Sequence, residues 1–182
     1  MSAELIILIA IPLAFIIYSL LVIWVFFSPT SIKSIINGAP PIPTPKGEIK
    51  AALKAAELSR GDIFYDLGSG TGRVVNIAKK DFKAEAAGIE YSLFWFLFSK
   101  INLFIRGTEA KIYKNNFLKQ DISDGDVLYM YGSKSLMKKL EKRLEKEKIS
   151  VKVVSYCFSF PNLKPQKKIK SPKGKQIFIY QT

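Results

Sequence analysis

The stretch Asp66-Leu67-Gly68-Ser69-Gly70-Thr71-Gly72 sets three glycines in a five-residue window directly after an apolar run. A carboxylate stands two residues ahead of the first glycine. Gly68, Gly70 and Gly72 remove the side chains that would crowd a ligand against the backbone. The spacing separates this loop from two phosphate-binding patterns. G-x-x-x-x-G-K-[ST] needs a lysine that is missing here, and in G-x-G-x-x-G the sixth position counted from Gly68 is Arg73. A second carboxylate, Glu90, follows 18 residues past Gly72. Two carboxylates beside a bare backbone suit a ligand that brings a cation and hydroxyl donors.

S-Adenosylmethionine carries an ammonium group and a sulfonium and no phosphate, so Asp66 suits it better than a pyrophosphate. Glu90 offers two acceptor oxygens and no donor, which matches the 2′ and 3′ hydroxyls of a ribose. Asn115, Asn116 and Phe117 come at a third strand end, placed to read and cover an adenine. With Ser69 in the loop and Tyr91 beside Glu90, these residues make up the expected cofactor-binding set. A dinucleotide and a glycine loop that is only a tight turn stand behind this reading as alternatives. For Glu90 alone the plainer alternative is a solvated acid at a strand end.

The elements that must position these groups alternate in period. Short apolar runs at 62–68, 84–92, 109–117, 126–132, 150–160 and 175–182 read as strands. Between them, 46–59, 72–81, 93–107 and 134–148 read as helices, the last with Leu136, Leu140 and Leu144 on one face. Such alternation predicts an α/β fold, a Rossmann-like doubly wound, mostly parallel sheet with helices on both faces. Right-handed crossovers then bring the strand C-termini, and with them the loop and Glu90, to one edge.

Residues 5–27, LIILIAIPLAFIIYSLLVIWVFF, run 23 residues without a charge. At about 1.5 Å per residue that length crosses a hydrocarbon core of about 30 Å. Pro12 is tolerated in such a span, and Trp24 fits an interfacial position. A cleaved signal peptide would need a basic start that Met-Ser-Ala-Glu lacks, and a buried core helix is the remaining alternative. All 28 Lys and Arg lie downstream of the run, beginning with Lys33, Lys46 and Lys50. Positive flanks stay inside, so the expected organisation is a single-pass membrane protein with its folded part on the cytoplasmic side. Its expected segments are a transmembrane anchor at 1–30, a Pro-rich linker at 31–45 and one domain at 46–182.

Absences narrow the chemistry. The chain has no histidine and one cysteine, Cys157, for a net charge of +13. His-based triads, His-ligated metals, Cys-rich zinc sites and an internal disulfide are therefore excluded, and no metal is expected. Cys157 sits in an apolar run and reads as an inert thiol.

Together, DLGSGTGR and Glu90 resemble the seven-strand, Rossmann-like S-adenosylmethionine-dependent methyltransferases over roughly residues 43–181. The N-terminal span, the P-x-P-T-P entry at 41–45 and the compact domain narrow the likeness. They are similar to the small membrane-anchored protein-lysine methyltransferases, which act in animals on the c-type rotor protein of ATP synthase and the adenine nucleotide translocase. YMYGSKSLMKKLEKRLEKE and VVSYCFSFPNLKP resemble the same family's strand-helix-strand stretch. The resemblance implies that Thr44 lies near the methionine end of the cofactor and that Asp66, Gly68, Gly70 and Glu90 line it. Thr71 stands where the family usually has an acid, and Asn116 where an adenine-contacting Asp is expected. Asparagine still accepts from an adenine amino group through its carbonyl oxygen.

The expected function is thus a membrane-anchored S-adenosylmethionine-dependent methyltransferase acting on protein lysine. Its alternatives are a lipid or small-molecule methyltransferase and a non-catalytic tethered module. Without histidine, a base would have to be an acid, a tyrosine or water, and no catalytic residue is assigned. Tyr129, Tyr131 and Ser133, at the end of the fourth strand, are candidates for lining the acceptor channel. LFWFLF at 93–98 reads partly as a buried helix face and partly as a lipid contact through Trp95 or Phe98. Six lysines in KPQKKIKSPKGK at 164–175 read as a solvated loop that would also attract anionic lipid. Expected partners are the membrane and a membrane-protein substrate, with no specific nucleic acid.

Overall fold

The computed structural model describes residues 3–29, 32 and 42–182. Most of the expected 31–45 linker, including Pro40 and Pro41, lies outside the described residues. Helix α1 (Ala3–Phe26) contains Pro12 and is long and apolar enough to cross a membrane. Inside it the Ser19 hydroxyl donates to the Phe15 carbonyl at 2.8 Å, which satisfies it without water.

The folded part begins with α2 (Lys46–Ala55), then β1 (Ile63–Leu67), α3 (Arg73–Phe82), β2 (Glu85–Glu90), α4 (Leu93–Ile105) and β3 (Lys111–Lys114). It continues with β4 (Val127–Met130), α5 (Lys134–Glu147), β5 (Lys152–Tyr156), β6 (Lys167–Lys170) and β7 (Gln176–Gln181). The seven strands form one sheet in the order β3-β2-β1-β4-β5-β7-β6. β1 to β5 are parallel, β7 runs antiparallel to β5, and β6 antiparallel to β7. This is the expected doubly wound, mostly parallel sheet.

Both faces are covered, which is why β1 is apolar at nearly every position. Phe64 packs with Ile49, Val75 and Leu103 of α2, α3 and α4 on one face. Tyr65 and Leu67 pack with Leu140 and Leu144 of α5 on the other. The chain order reverses between β1 and β4, and a ligand crevice forms outside the strand ends at such a point. Register places Asp66 of β1 beside Gly88 of β2 and Tyr129 of β4.

One element departs from the expected order. The lysine-rich stretch read as a loop contributes β6, the edge strand of a hairpin with β7. Lys167, Lys168 and Lys170 lie on that edge. Charged side chains on an exposed edge discourage pairing with another chain, so the composition has a structural reason independent of lipid.

Glu48 ties this hairpin to α2. The side chain is buried, and its Oε2 accepts from the Tyr156 hydroxyl at 2.6 Å and from the Ser171 hydroxyl. Its Oε1 accepts from the Lys173 N–H at 2.9 Å. Burial pushes its pKa up, but the Ser171, Tyr156 and Lys173 hydrogen bonds outweigh burial and hold it below the usual carboxylate range. The stability it supplies is therefore present above the ordinary pKa and lost as pH falls through the lowered one. We expect Glu48→Ala, which strands three donors, to cost about 3 kcal/mol. Thermal unfolding should fall by about 6–12 °C at pH 7 and by less below about pH 4. Equal melting temperatures at pH 7 would contradict this assignment.

Candidate active site

The loop after β1 is built almost wholly from backbone. The N–H groups of Gly68 and Ser69 both donate to the Ile89 carbonyl, at 2.9 and 3.1 Å, which fastens the loop to β2. Gly68, Gly70 and Gly72 have φ of 92°, 50° and 72°, conformations that L side chains rarely adopt. Gly88 has a different role. A Cβ there would stand 2.6 Å from the Ser69 Cβ, so only glycine in β2 lets Ser69 pack against the strand.

Glu90 ends β2 and meets the same loop. Its Oε2 accepts from the Gly70 N–H at 2.8 Å and its Oε1 from the Ser92 N–H at 2.7 Å. A carboxylate has about four lone-pair sites, so each oxygen keeps capacity for one further donor. Burial pushes its pKa up, against the downward pull of the N–H groups of Ser92 and Gly70. Lys114, its neighbour across the sheet, donates to the Tyr91 carbonyl at 2.7 Å and lies 5.3 Å from the Tyr91 ring centroid.

Asp66 is buried, and its pKa is pushed up to about 8 by burial first and by the Glu90 charge second. The Tyr129 hydroxyl faces it from β4. Burial, then the Asp66 charge, raises the Tyr129 pKa well above the usual phenol value. Thr44 approaches this hydroxyl without the geometry of a hydrogen bond, and neither Tyr129 Oη nor Ser69 Oγ has a partner among the described residues. Buried hydroxyls are normally paired, so both mark a space that a polar ligand completes.

These groups line one cavity of about 370 Å³. It brings together Thr44, Asp66, Gly68, Ser69, Gly70, Glu90, Tyr91, Asn115, Asn116 and Phe117 of the residues singled out from sequence. Gly72 does not line it. Gly72 sits at the N-terminus of α3, where a Cβ would come within 3.2 Å of the Ser99 Cβ of α4. Tyr129 and Tyr131 also line the cavity, whereas Ser133 caps α5, its Oγ accepting from the Leu136 N–H at 3.4 Å.

The far wall is held by turns. Asn115 Oδ1 accepts from the Asn116 N–H at 2.8 Å, and Asn116 Oδ1 from the Leu118 N–H at 2.9 Å. One lone pair of the Asn116 oxygen is thus already engaged. Arg143 of α5 donates to the carbonyls of Phe117 and Gln120 and to Glu147. That guanidinium fixes the loop carrying Asn115 to Phe117, a role hidden in the sequence among the charges of α5. Tyr131 packs edge-on against Tyr156 at 4.9 Å and stacks on Phe158 at 6.4 Å, which gives the acceptor side an aromatic wall. Cys157 between them is half-buried, and burial raises its thiol pKa, so it stays neutral.

The donor set fits S-adenosylmethionine. Two buried carboxylates answer positive charge and hydroxyl donors, and two orphaned hydroxyls remain for further polar groups. Among known proteins, a family profile for the ANTKMT methyltransferase domain matches residues 66–167. A protein-lysine N-methyltransferase of Saccharolobus islandicus is 33% identical over 154 residues, covering 81% of this chain and 96% of that relative. The Homo sapiens lysine N-methyltransferase that is named for the c-type rotor protein of ATP synthase is 31% identical over 130 residues. That match covers 69% of this chain and 54% of the human protein, so the chain spans about half the length of this relative. Among solved structures, an RNA methyltransferase of Salinibacter ruber in complex with S-adenosyl-L-homocysteine aligns with a TM-score of 0.71 at 26% identity. That alignment covers 77% of this chain and 93% of the other.

Proposed function

The chain belongs to the ANTKMT methyltransferase domain family, and we propose that it anchors in a membrane and methylates lysine side chains of membrane proteins. It is an S-adenosylmethionine-dependent methyltransferase. The observation that carries the lysine reading is the Saccharolobus islandicus relative, which this chain matches over 96% of that protein's length.

When bound, S-adenosylmethionine supplies an activated methyl group. The chain's own residues bind and orient. Glu90, fixed by Gly70 and Ser92, accepts the ribose hydroxyls. Asp66 balances positive charge, and Asn115, Asn116 and Phe117 enclose the adenine. Positioning of this kind supplies much of the acceleration in an in-line displacement. A lysine acceptor must arrive neutral, and desolvation between Tyr131, Met130 and Leu136 of the lining disfavours its charged form. The Tyr129 hydroxyl, neutral at physiological pH, stands in the lining as a polar contact for either partner.

Anchoring is assigned to α1, whose residues 7–24 are wholly exposed and without a charged side chain. The basic flank puts the domain on the cytoplasmic side. The organisation proposed is an anchor at 1–30, a linker at 31–45 and a catalytic domain at 46–182, with a membrane protein as substrate. Anionic lipid is a further contact for the Lys-rich edge, and specific nucleic acid is not proposed.

A labelling experiment separates this reading from its rivals. Full-length protein, membranes and methyl-labelled S-adenosylmethionine are incubated, and label is counted in protein, lipid and RNA extracts. Label in protein, absent with Glu90→Ala, is the expected result. Label confined to lipid or RNA would overturn the lysine reading.

A further inference from the structure

We propose that the exposed face of α4 lies in the bilayer interface, so that the catalytic domain holds the membrane laterally as well as through α1. The proposal rests on the membrane-anchored reading above. Leu97, Phe98, Ile101, Phe104 and Ile105 are all exposed, Phe104 by 85% and Ile105 by 76%. Their spacing places them on one helical face, while Ser99 and Leu103 are buried on the other. Large contiguous apolar patches are rare on monomeric soluble proteins and mark an interaction surface.

The occupant follows from what adjoins the patch. α4 packs against α1, the charge-free span. The hydrocarbon that covers α1 therefore lies beside α4. α4 has 13 residues, about 20 Å, too short to cross a bilayer and suited to lying along its surface. It holds no acid, and Lys100 and Arg106 flank its apolar face, where they meet phosphate headgroups rather than tails. Lys100 also lies 5.5 Å from the Phe96 ring centroid.

The contact reaches the active site. Trp95 lines the cofactor cavity and meets Phe98 edge-on at 5.7 Å and Phe94 at 5.0 Å. One aromatic cluster thus runs from the cavity wall to the exposed face. Ser92, which caps α4, is the residue whose N–H holds Glu90. Membrane contact by α4 sets the cavity at the level of lysines that emerge just outside the bilayer.

The test uses the full chain with Cys157→Ala as background and single cysteines for spin labels at Leu13→Cys, Phe104→Cys and Lys138→Cys. The protein is reconstituted in vesicles of zwitterionic and anionic phospholipid. Collision with oxygen, which partitions into lipid, is compared with collision with a water-soluble nickel chelate. Oxygen should dominate severalfold at 13 and 104, and nickel at 138. Nickel access at 104 with oxygen access at 13 would overturn the α4 contact and leave the anchor standing. Shielding of 104 from both reagents, as beneath a second copy or another protein, would overturn it too. Nickel access at 13 would remove the anchor and the proposal with it.

Discussion

Glu90→Ala should weaken binding of S-adenosylmethionine and of its demethylated product by at least about 100-fold. Each hydrogen bond to a charged group is worth about 1.5–3 kcal/mol, and the substitution removes the acceptor for two ribose hydroxyls. It also releases the Gly70 and Ser92 N–H groups that the carboxylate now accepts. The loop and the start of α4 lose their common anchor. Glu90→Gln keeps the shape but turns one acceptor into a donor, so its loss should be intermediate. Calorimetric titration of the three proteins checks the series, with thermal unfolding as a control for fold. Unchanged affinity in Glu90→Ala would remove the carboxylate from the cofactor site.

Binding should also depend steeply on pH through Asp66. With its pKa near 8, the cofactor-free protein holds this carboxyl protonated at neutral pH. A bound ammonium and sulfonium favour the ionised form, so binding releases a proton. Affinity should then rise about tenfold per pH unit between about 6 and 8, the slope that one linked proton gives. Above about 8 the ligand's own ammonium deprotonates and affinity should fall again. The stability effect has the opposite trend. A raised carboxyl pKa means that Asp66's contribution to folding is complete below its ordinary pKa and lost as pH rises through about 8. The cofactor-free protein should therefore weaken over the range in which binding strengthens. Titrations in buffers of different ionisation enthalpy count the released proton directly. Asp66→Asn should bind weakly at all pH values with no slope below 8. A slope unchanged in Asp66→Asn would assign the proton to another group.

What could be read in the sequence was local. Asp66, the glycine loop and Glu90 announce themselves because a strand, a tight turn and a second strand end follow within 30 residues, each with its own period. The parallel sheet follows from the same alternation. What could not be read depends on partners far apart in the chain. Glu48 looks like one acid in a helical first turn, yet its hydrogen bonds come from Tyr156, Ser171 and Lys173 across the fold. Arg143 looks like any charge on an amphipathic helix, yet it fixes the wall that carries Phe117. β6 was hidden because its lysines suit an edge strand and a loop equally. Gly88 gave no signal at all, since its purpose is the room it leaves for Ser69. Gly72 shows the converse. Its place in the motif suggested a ligand contact, while the fold uses it at the start of α3 and beneath α4.

The most direct test is amino-acid analysis of the methylated product. Membranes are incubated with the full-length protein and methyl-labelled S-adenosylmethionine, and the labelled protein is hydrolysed to single residues. The account predicts label in mono-, di- or trimethyl-lysine, and none when Glu90→Ala replaces the native chain. Label in any other residue, or none in protein while the cofactor binds normally, would contradict it.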